Sequence, residues 1–406
     1  MNHPWDGPLA DLGCAAALVV ADSARDPDLA HFVGAAHLGQ ALLVLPAGGA
    51  PRLGYFSAME RDEAVATGLA LAAPADLGLP RMRREGWPEP LTVAAAAGAA
   101  LAACGLRPPA RLALAGHPAA GVAVEAARQL ERDGWAAVAG DGLLRRLRKR
   151  KGAAQAAAVR RAAAGAGAAL RAVAATLATA RVGRGGELSA RGGRLTVGRL
   201  RAVVARALAE RGLGQPAGNI VAPGAEAGVP HSPGDDDRVL RAGEALVVDL
   251  YPWSAPCFAD ASRTFCVGAP PEPLAAAHAA VREALELAGS QAVAGARGWD
   301  LQLAVCALFE RRGYPTVASA PETEVGYVHD LGHGVGCELH EHPSFRRRAG
   351  GEGVLEVGDA FTLEPGLYDP EGGWGVRLED TLLLGEEGLE NLTPLPYDLD
   401  PRSWVG

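Results

Sequence analysis

Residues 244–268 read Glu244-Ala-Leu-Val-Val-Asp-Leu-Tyr-Pro-Trp-Ser-Ala-Pro-Cys-Phe-Ala-Asp-Ala-Ser-Arg-Thr-Phe-Cys-Val-Gly268. Two apolar runs flank a turn that contains two prolines, a pattern that predicts a β-hairpin. In an extended chain Asp249 and Asp260 would lie about 36 Å apart, so both reach one site only if the chain reverses between them. A lone Asp at a strand end is usually solvated. Asp249, however, ends the apolar run Ala-Leu-Val-Val, where an unpaired carboxylate is costly to bury, and a bound cation would remove that cost.

A second motif is rich in histidine and glycine. It reads Tyr327-Val-His-Asp-Leu-Gly-His-Gly-Val-Gly-Cys-Glu-Leu-His-Glu-His-Pro343 and holds four of the ten histidines of the chain. His329 and His333 have the spacing of a helical face, but the surrounding glycines make a helix unfavourable. We therefore expect His333 on an extended segment whose backbone can approach a metal closely.

Two further strand-like runs, Asp359–Tyr368 and Trp374–Leu384, contain Glu364 and Glu379. Because side chains alternate along a strand, Arg377 is expected on the face of Glu379, pointing toward whatever that carboxylate binds. One imidazole among four carboxylates suits manganese, cobalt, zinc or iron better than calcium or a thiolate zinc site. The four negative charges would offset two dications about 3.5–4 Å apart, with an acidified water or hydroxide between them.

Together these motifs resemble the pita-bread metallopeptidases, the family of methionine aminopeptidase, aminopeptidase P and prolidase. The family's ligand order of Asp, Asp, His, Glu and Glu is matched by Asp249, Asp260, His333, Glu364 and Glu379. The resemblance implies that Asp249 chelates one metal, that Asp260 and Glu379 bridge, and that His333 and Glu364 complete the other. It also makes Glu364 the proton carrier for the attacking water. The implied cofactors are two divalent ions, manganese first, with cobalt or zinc as alternatives.

The same resemblance gives three more histidines, His231, His329 and His340, a role in binding substrate or stabilising the tetrahedral intermediate. His342 has no such match and is expected to be a bystander. The chain departs from the family where Tyr251-Pro252-Trp253 replaces the usual glycine. We expect this departure to reshape a wall of the substrate pocket.

Residues 375–380, Gly-Val-Arg-Leu-Glu-Asp, are similar to those of proline-specific members, because methionine aminopeptidases lack Arg377. The implied reaction is hydrolysis of an Xaa-Pro bond, whose amide has no N–H and a constrained ring. A dipeptidase (prolidase) is favoured, in which Arg377 anchors the substrate carboxylate. An aminopeptidase P that accepts longer peptides is the alternative. A creatinase-like hydrolase and a non-catalytic binding protein are remote alternatives, since both usually lack the metal ligands.

The length of 406 residues indicates two domains. Residues 1–147 alternate strand-like runs (15–20, 40–46, 111–115) with Ala-rich helical stretches (59–73, 92–104, 120–133), an α/β pattern. They resemble the creatinase-type N-terminal domain of prolidases and aminopeptidases P. Residues 148–406 are expected to form the pita-bread α+β catalytic domain with a curved antiparallel sheet. The resemblance also suggests a homodimer.

The boundary coincides with a basic run, Arg145-Arg-Leu-Arg-Lys-Arg-Lys151. A nucleic-acid patch is disfavoured, because the net charge is −8 and no aromatic residues are interleaved. The run is instead expected to be the solvated start of a long helix that reaches about Ala180. No apolar stretch has the roughly 20 residues of a membrane span, and the start lacks a signal-peptide pattern. These features predict a cytoplasmic protein. The family resemblance implies that its partner is a small peptide with proline in second position.

Overall fold

The structure is a computed structural model that describes residues 3–190, 192–347 and 353–405. The chain divides into two compact units, residues 1–148 and 149–406. Both units mix helices and strands, as predicted. Within these described ranges no helix is both long and apolar enough to cross a membrane.

The first unit is built on one six-stranded sheet. Its strands are β1 (Ala16–Ala21), β2 (Ala41–Pro46), β3 (Arg52–Tyr55), β4 (Ala70–Ala72), β5 (Ala110–Ala115) and β6 (Trp135–Ala139). Its helices are α1 (Asp6–Leu12), α2 (Pro27–Val33), α3 (Arg61–Ala66), α4 (Leu79–Arg84), α5 (Glu89–Ala103), α6 (Ala120–Arg132) and α7 (Asp141–Lys149), with a 3-10 helix at Ala58–Glu60. The strand order is β4-β3-β2-β1-β5-β6. The pairs β1–β2 and β2–β3 are antiparallel and the others are parallel.

Helices cover both faces of this sheet. Every residue of β1 and β2 is buried, as expected for strands with no solvated face. Leu18 packs into a core with side chains of α5 and α6, whereas Val19 packs on the opposite face with Leu29 of α2 and Leu143 of α7. The alternation of Leu18 and Val19 therefore produces a three-layer α/β arrangement.

The helix predicted over residues 59–73 is wrong. The chain instead forms the short 3-10 helix, then α3, and then strand β4. Gly68 follows α3 with a φ of 71°, a left-handed conformation that ends a helix and that glycine adopts without strain.

The second unit contains four longer helices and several antiparallel sheets. The helices are α8 (Ala153–Ala178), α9 (Val197–Ala209), α10 (Glu272–Gln291) and α11 (Gly298–Arg311), with 3-10 helices at Arg184–Gly186, Gly224–Gly228 and Pro401–Trp404. The strands are β7 (Arg181–Val182), β8 (Leu188–Ala190), β9 (Gly193–Arg194), β10 (Asn219–Pro223), β11 (Leu246–Leu250), β12 (Trp253–Ser254), β13 (Cys257–Phe258), β14 (Ala261–Phe265), β15 (His333–Gly334), β16 (Glu341–Ser344), β17 (Ala360–Leu363), β18 (Gly366–Asp369), β19 (Trp374–Arg377), β20 (Asp380–Gly385) and β21 (Gly388–Asn391).

Two of these sheets carry the predicted ligands. One has the order β10-β11-β14 and the other β16-β15-β17-β20-β21. Side chains of α8 and α9 share a core with Val248 and Leu250 of β11, and side chains of α10 and α11 share a core with Phe361 and Leu363 of β17. A backbone hydrogen bond of 3.0 Å from Glu379 N to Ser262 O joins the two sheets. The predicted ligands are thus brought to the line where the sheets meet.

The basic run does not form the solvated start of a helix, and that prediction is wrong. Most of it lies in α7, and the next helix, α8, begins only at Ala153. Three of its cations are buried and each faces a carboxylate. These ion pairs are Arg148–Asp28 at 2.9 Å, Lys149–Asp359 at 3.2 Å and Lys151–Glu341 at 2.5 Å. Half of the basic residues of the run are therefore internal to the fold, whereas Arg145, Arg146 and Arg150 are exposed.

Candidate metal centre

The predicted hairpin is present and brings the two aspartates together. β11 pairs with β14 so that Asp249 faces Ser262 and Leu250 faces Ala261, and the short β12–β13 pair returns the chain between them. Leu250 enters the core beneath α8 and α9, so alternation turns Asp249 to the other face of the sheet. Asp249 and Asp260 are only 6% and 4% exposed.

His333 lies on the short extended strand β15, as predicted, and presents one ring nitrogen to the carboxylates. Its Nδ1 lies 3.0 Å from the carbonyl oxygen of Gly334, which can only accept a hydrogen bond, so Nδ1 carries the proton. Nε2 therefore keeps its lone pair, and it lies 3.4 Å from Glu364 Oε1 and 3.7 Å from Asp260 Oδ2. Burial and the neighbouring His340 lower the pKa of His333 to about 3. A neutral imidazole with a free Nε2 is the form that binds a metal.

Glu379 lies just before β20 and is held by its neighbour on β14. Its Oε2 accepts a 2.8 Å hydrogen bond from the Ser262 hydroxyl. Ligand atoms of Asp260, His333 and Glu379 all lie within 4.8 Å of one another. Glu364 follows β17 directly, and its backbone N–H donates to Leu331 O at 2.7 Å. All five predicted ligands thus converge on one site.

Three carboxylate oxygens at this site are buried and have no hydrogen-bond donor among the described residues. They are Asp249 Oδ1, Asp260 Oδ1 and Glu379 Oε1. Buried carboxylate oxygens are almost always paired, and leaving one unpaired costs free energy. Cations would pair all three, and four carboxylates with one imidazole form a donor set that suits hard to borderline divalent ions. The residues present therefore fit divalent metal ions.

The electrostatics of the site also favour bound cations. Burial raises the pKa of Asp260 and of Glu379 well above the usual range, and nearby carboxylates raise both further. Burial also raises the pKa of Glu364 to about 8, against the opposing charge of Arg377. Without cations these groups repel one another and favour their neutral forms. Divalent ions would restore the charged forms.

The three histidines predicted to bind substrate or stabilise the tetrahedral intermediate, His231, His329 and His340, differ in how deeply they are buried. His329 Nδ1 lies 2.7 Å from the carbonyl oxygen of Asp330, and its Nε2 accepts from the Tyr368 hydroxyl at 2.9 Å. Burial and the charge of Arg377 lower the pKa of His329 to about 4. The His340 ring packs edge-on against His333 with 4.2 Å between centroids. His231 is exposed but lies close enough to both other histidines for its charge to lower their pKa values.

Arg377 points toward the cluster that contains Glu379, as predicted, but it does so from a different sheet. The run predicted as one strand is divided at residues 378–379, so Arg377 ends β19 and Glu379 precedes β20 in a different sheet. The guanidinium is nearly fully buried, with 3% of the residue exposed. It donates to Asp249 Oδ2 (2.7 Å), Ser262 Oγ (3.0 Å), Tyr368 Oη (2.9 Å) and Pro230 O (3.1 Å). Arg377 therefore holds Asp249, a predicted metal ligand, in place, and these four hydrogen bonds leave it one N–H, which cannot form a bidentate pair with a substrate carboxylate.

Two residues of the site were missed by the sequence reasoning, Ser262 and Tyr368. Ser262 joins Arg377 to Glu379 through one hydroxyl, and Tyr368 joins Arg377 to His329. In the sequence, only their distance from a predicted ligand indicates a role at the site. Ser262 lies two residues after Asp260, on the same strand face, and Tyr368 lies four residues after Glu364. That signal could have identified Ser262, by alternation.

A model of metallopeptidase family M24 matches residues 157–386, more than half of the chain. The chain belongs to metallopeptidase family M24. The resemblance inferred from the motifs is thereby confirmed. Among sequence relatives of this M24 chain, an Xaa-Pro dipeptidase of Pyrococcus furiosus is 34% identical over 180 residues, which span 44% of this chain and 48% of that protein. A probable dipeptidase PepE of Mycobacterium bovis is 31% identical over 197 residues, 48% of this chain and 49% of that protein. The matches thus span about half the length of these curated relatives.

Solved structures resemble this M24 chain over nearly its whole length. The prolidase from Pyrococcus horikoshii has a TM-score of 0.74 at 22% identity and covers 98% of each chain. The dipeptidase PepE from Mycobacterium ulcerans has a TM-score of 0.71 at 25% identity, with 98% of this chain and 95% of that chain covered. The X-Pro aminopeptidase from Thermotoga maritima has a TM-score of 0.70 at 20% identity, with 98% and 99% covered. The fold is therefore shared by both kinds of proline-directed peptidase.

Proposed function

We propose that this chain hydrolyses Xaa-Pro peptide bonds with two divalent metal ions, and that it acts as a dipeptidase. One observation carries the metal requirement: among the residues that the structure describes, no donor pairs the buried oxygens Asp249 Oδ1, Asp260 Oδ1 and Glu379 Oε1. Ligand atoms of Asp260, His333 and Glu379 also lie within 4.8 Å of one another. The names of the sequence relatives, Xaa-Pro dipeptidase and probable dipeptidase, support the substrate class.

We assign the metals to Asp249, Asp260, His333, Glu364 and Glu379. Bound divalent ions would polarise the scissile carbonyl and acidify a water for attack. We assign proton transfer to Glu364 on the family resemblance; its Oε1 lies 3.4 Å from Nε2 of His333, at the edge of the proposed metal cluster.

The remaining side chains of the site bind the substrate or orient the groups around it. His329 stays neutral and is fixed by Asp330 O and Tyr368, so its ring is held rigidly. His340 and the exposed His231 are the histidines that solvent or substrate can reach, and we assign substrate binding to them. Arg377 is a positioning residue that orients Asp249.

The burial of Arg377 bears on the choice between dipeptidase and aminopeptidase P. The expectation that Arg377 anchors the substrate carboxylate is not supported, because four of its five N–H groups donate to partners within the protein. The preference for a dipeptidase therefore rests on the sequence relatives. Aminopeptidase P remains the alternative, favoured by the structural likeness to an X-Pro aminopeptidase.

Four further features are proposed from the family resemblance. They are manganese as the physiological metal, a homodimer, a cytoplasmic location and a creatinase-type identity for residues 1–147. Metal analysis of the purified protein tests the first, and sedimentation velocity tests the second. A creatinase-like hydrolase or a non-catalytic protein would bind no stoichiometric metal, so two metal equivalents per chain would exclude both.

The decisive experiment uses protein stripped of metal and reloaded with manganese, cobalt or zinc, incubated with Ala-Pro and with Ala-Pro-Ala while free alanine is followed. Cleavage of Ala-Pro alone makes the chain a dipeptidase, and efficient cleavage of Ala-Pro-Ala makes it an aminopeptidase P. Asp260→Asn should abolish turnover, whereas Glu371→Gln, at an exposed carboxylate outside the centre, should not. No alanine release from either peptide, with two metals bound, would refute the proline-directed function.

A further inference from the structure

Tyr251 lies at the edge of the metal centre by the register of the hairpin. The last pair of the β11–β14 ladder is Leu250 with Ala261, so one position further along, Tyr251 and Asp260 face each other. Directly opposed residues in an antiparallel pair have Cβ atoms about 4.5–5.5 Å apart. Alternation also places Tyr251 on the same face as Asp249, because Leu250 between them enters the core beneath α8 and α9.

The tyrosine hydroxyl has no hydrogen-bond partner among the residues that the structure describes, and the residue is only partly buried. A phenol in a polar site usually finds a partner. A tyrosine hydroxyl is protonated at neutral pH, so Tyr251 offers an unused hydrogen-bond donor on the sheet face that carries Asp249.

We propose that Tyr251 contacts the substrate and that its hydroxyl donates a hydrogen bond to the oxygen that becomes negative when the peptide carbonyl is attacked. This inference rests on the proposed hydrolysis and adds a residue to it. The phenol keeps its proton throughout, so no proton transfer is assigned to it. A fixed donor aimed at developing charge stabilises the transition state more than the bound substrate.

The hydroxyl alone is removed in Tyr251→Phe. The matched control is Tyr314→Phe, which removes another partly buried hydroxyl of the same unit, close to Glu272 rather than to the metal ligands. Each manganese-loaded protein is assayed for kcat and KM on Ala-Pro. Its affinity for inorganic phosphate, a tetrahedral anion that probes the same donor without peptide chemistry, is measured by calorimetry.

We expect Tyr251→Phe to lower kcat about 100-fold, the smaller end of the loss on removing one oxyanion donor, with KM little changed. Phosphate affinity should fall about tenfold, which is the effect of losing about 1.4 kcal/mol. Manganese content and melting temperature should match the wild type, and Tyr314→Phe should behave as wild type throughout.

A Tyr251→Phe protein with wild-type kcat and phosphate affinity would overturn the inference. A raised KM with unchanged kcat would also contradict it, because the hydroxyl would then bind substrate and transition state equally. If the wild type cleaves no Xaa-Pro peptide but Tyr251→Phe still loses phosphate affinity, the proposed substrate is wrong while the role of Tyr251 stands.

Discussion

Arg377 and Asp249 form a buried ion pair in which Nη2 lies 2.7 Å from Oδ2. The pair uses one carboxylate oxygen of Asp249 and leaves the other, Oδ1, buried without a donor. The arginine thereby fixes the orientation of the carboxylate while keeping one oxygen available to a cation. Partners that orient a metal ligand in this way typically affect metal affinity as well as activity.

Replacing Arg377 with alanine is therefore expected to weaken metal binding. Loss of the orienting partner should lower affinity for manganese about 10- to 100-fold, with a parallel loss of activity at limiting metal. Titration of the metal-stripped protein with manganese measures this affinity. The control is Arg282→Ala, at a half-exposed arginine of α10. Undiminished manganese affinity with reduced Ala-Pro turnover would instead make Arg377 a substrate-binding residue.

The Lys151–Glu341 ion pair should contribute strongly to stability, because its side chains are 1% and 0% exposed. In Lys151→Met the buried Glu341 loses its cation, which costs about 3–5 kcal/mol for a buried pair broken on one side. The exposed pair Arg160–Glu390, at 47% and 48% exposure, offers a comparison, and Arg160→Met should cost under about 1 kcal/mol. Urea unfolding of both variants tests this, and equal losses of stability would contradict it.

Metal removal should make stability depend on pH. In the metal-free folded protein the pKa of Glu364 is about 8, above the ordinary 4.5. The folded state therefore holds a proton that the unfolded state releases. Its stabilising effect is full below the ordinary pKa and is lost as pH rises toward about 8. Chelator-treated protein should melt at a lower temperature at about pH 8 than at about pH 5.

Manganese-loaded protein should lose less stability over the same pH range, because the ions favour the charged carboxylates. Glu364→Gln in the chelated protein should show a smaller pH dependence than the wild type. Identical pH profiles for the chelated and loaded proteins would argue against cations in this cluster.

Gly334 is expected to tolerate no side chain. A Cβ built there would lie 2.0 Å from the carbonyl oxygen of His342, so alanine would force β15 away from β16 and move His333. We expect Gly334→Ala to lose stoichiometric metal and to unfold at lower temperature. Gly289→Ala in α10, where no atom lies within 4 Å, should be neutral or stabilising. Full metal content in Gly334→Ala would contradict this prediction, because it would show that β15 can shift without loss of metal binding.

Much of the metal centre could be predicted because its signals are local. The apolar runs around Asp249 and Asp260 imply a reversal that brings two carboxylates together, and glycines beside His333 imply an extended strand. Metal chemistry then limits which residue types can complete the set. Helices α5 and α6 of the first unit were predicted from composition in a similar way, whereas α1, α2 and α4 were not predicted and the stretch 59–73 is interrupted at Gly68.

The sequence by itself determined the set of candidate metal-ligand residue types, their order along the chain, and the membership in family M24 that this order indicates. Only the tertiary structure decided which charges are buried. Arg377 contacts Asp249 instead of a substrate, and part of the basic run that was expected to be solvated is paired within the fold. Both outcomes depend on segments more than 100 residues apart in the chain. Lys151 and Glu341, for example, are separated by 190 residues. No local pattern encodes such a contact. It follows from how the sheets and helices pack, because a charge withdrawn from water must find its partner among whatever the packing brings near.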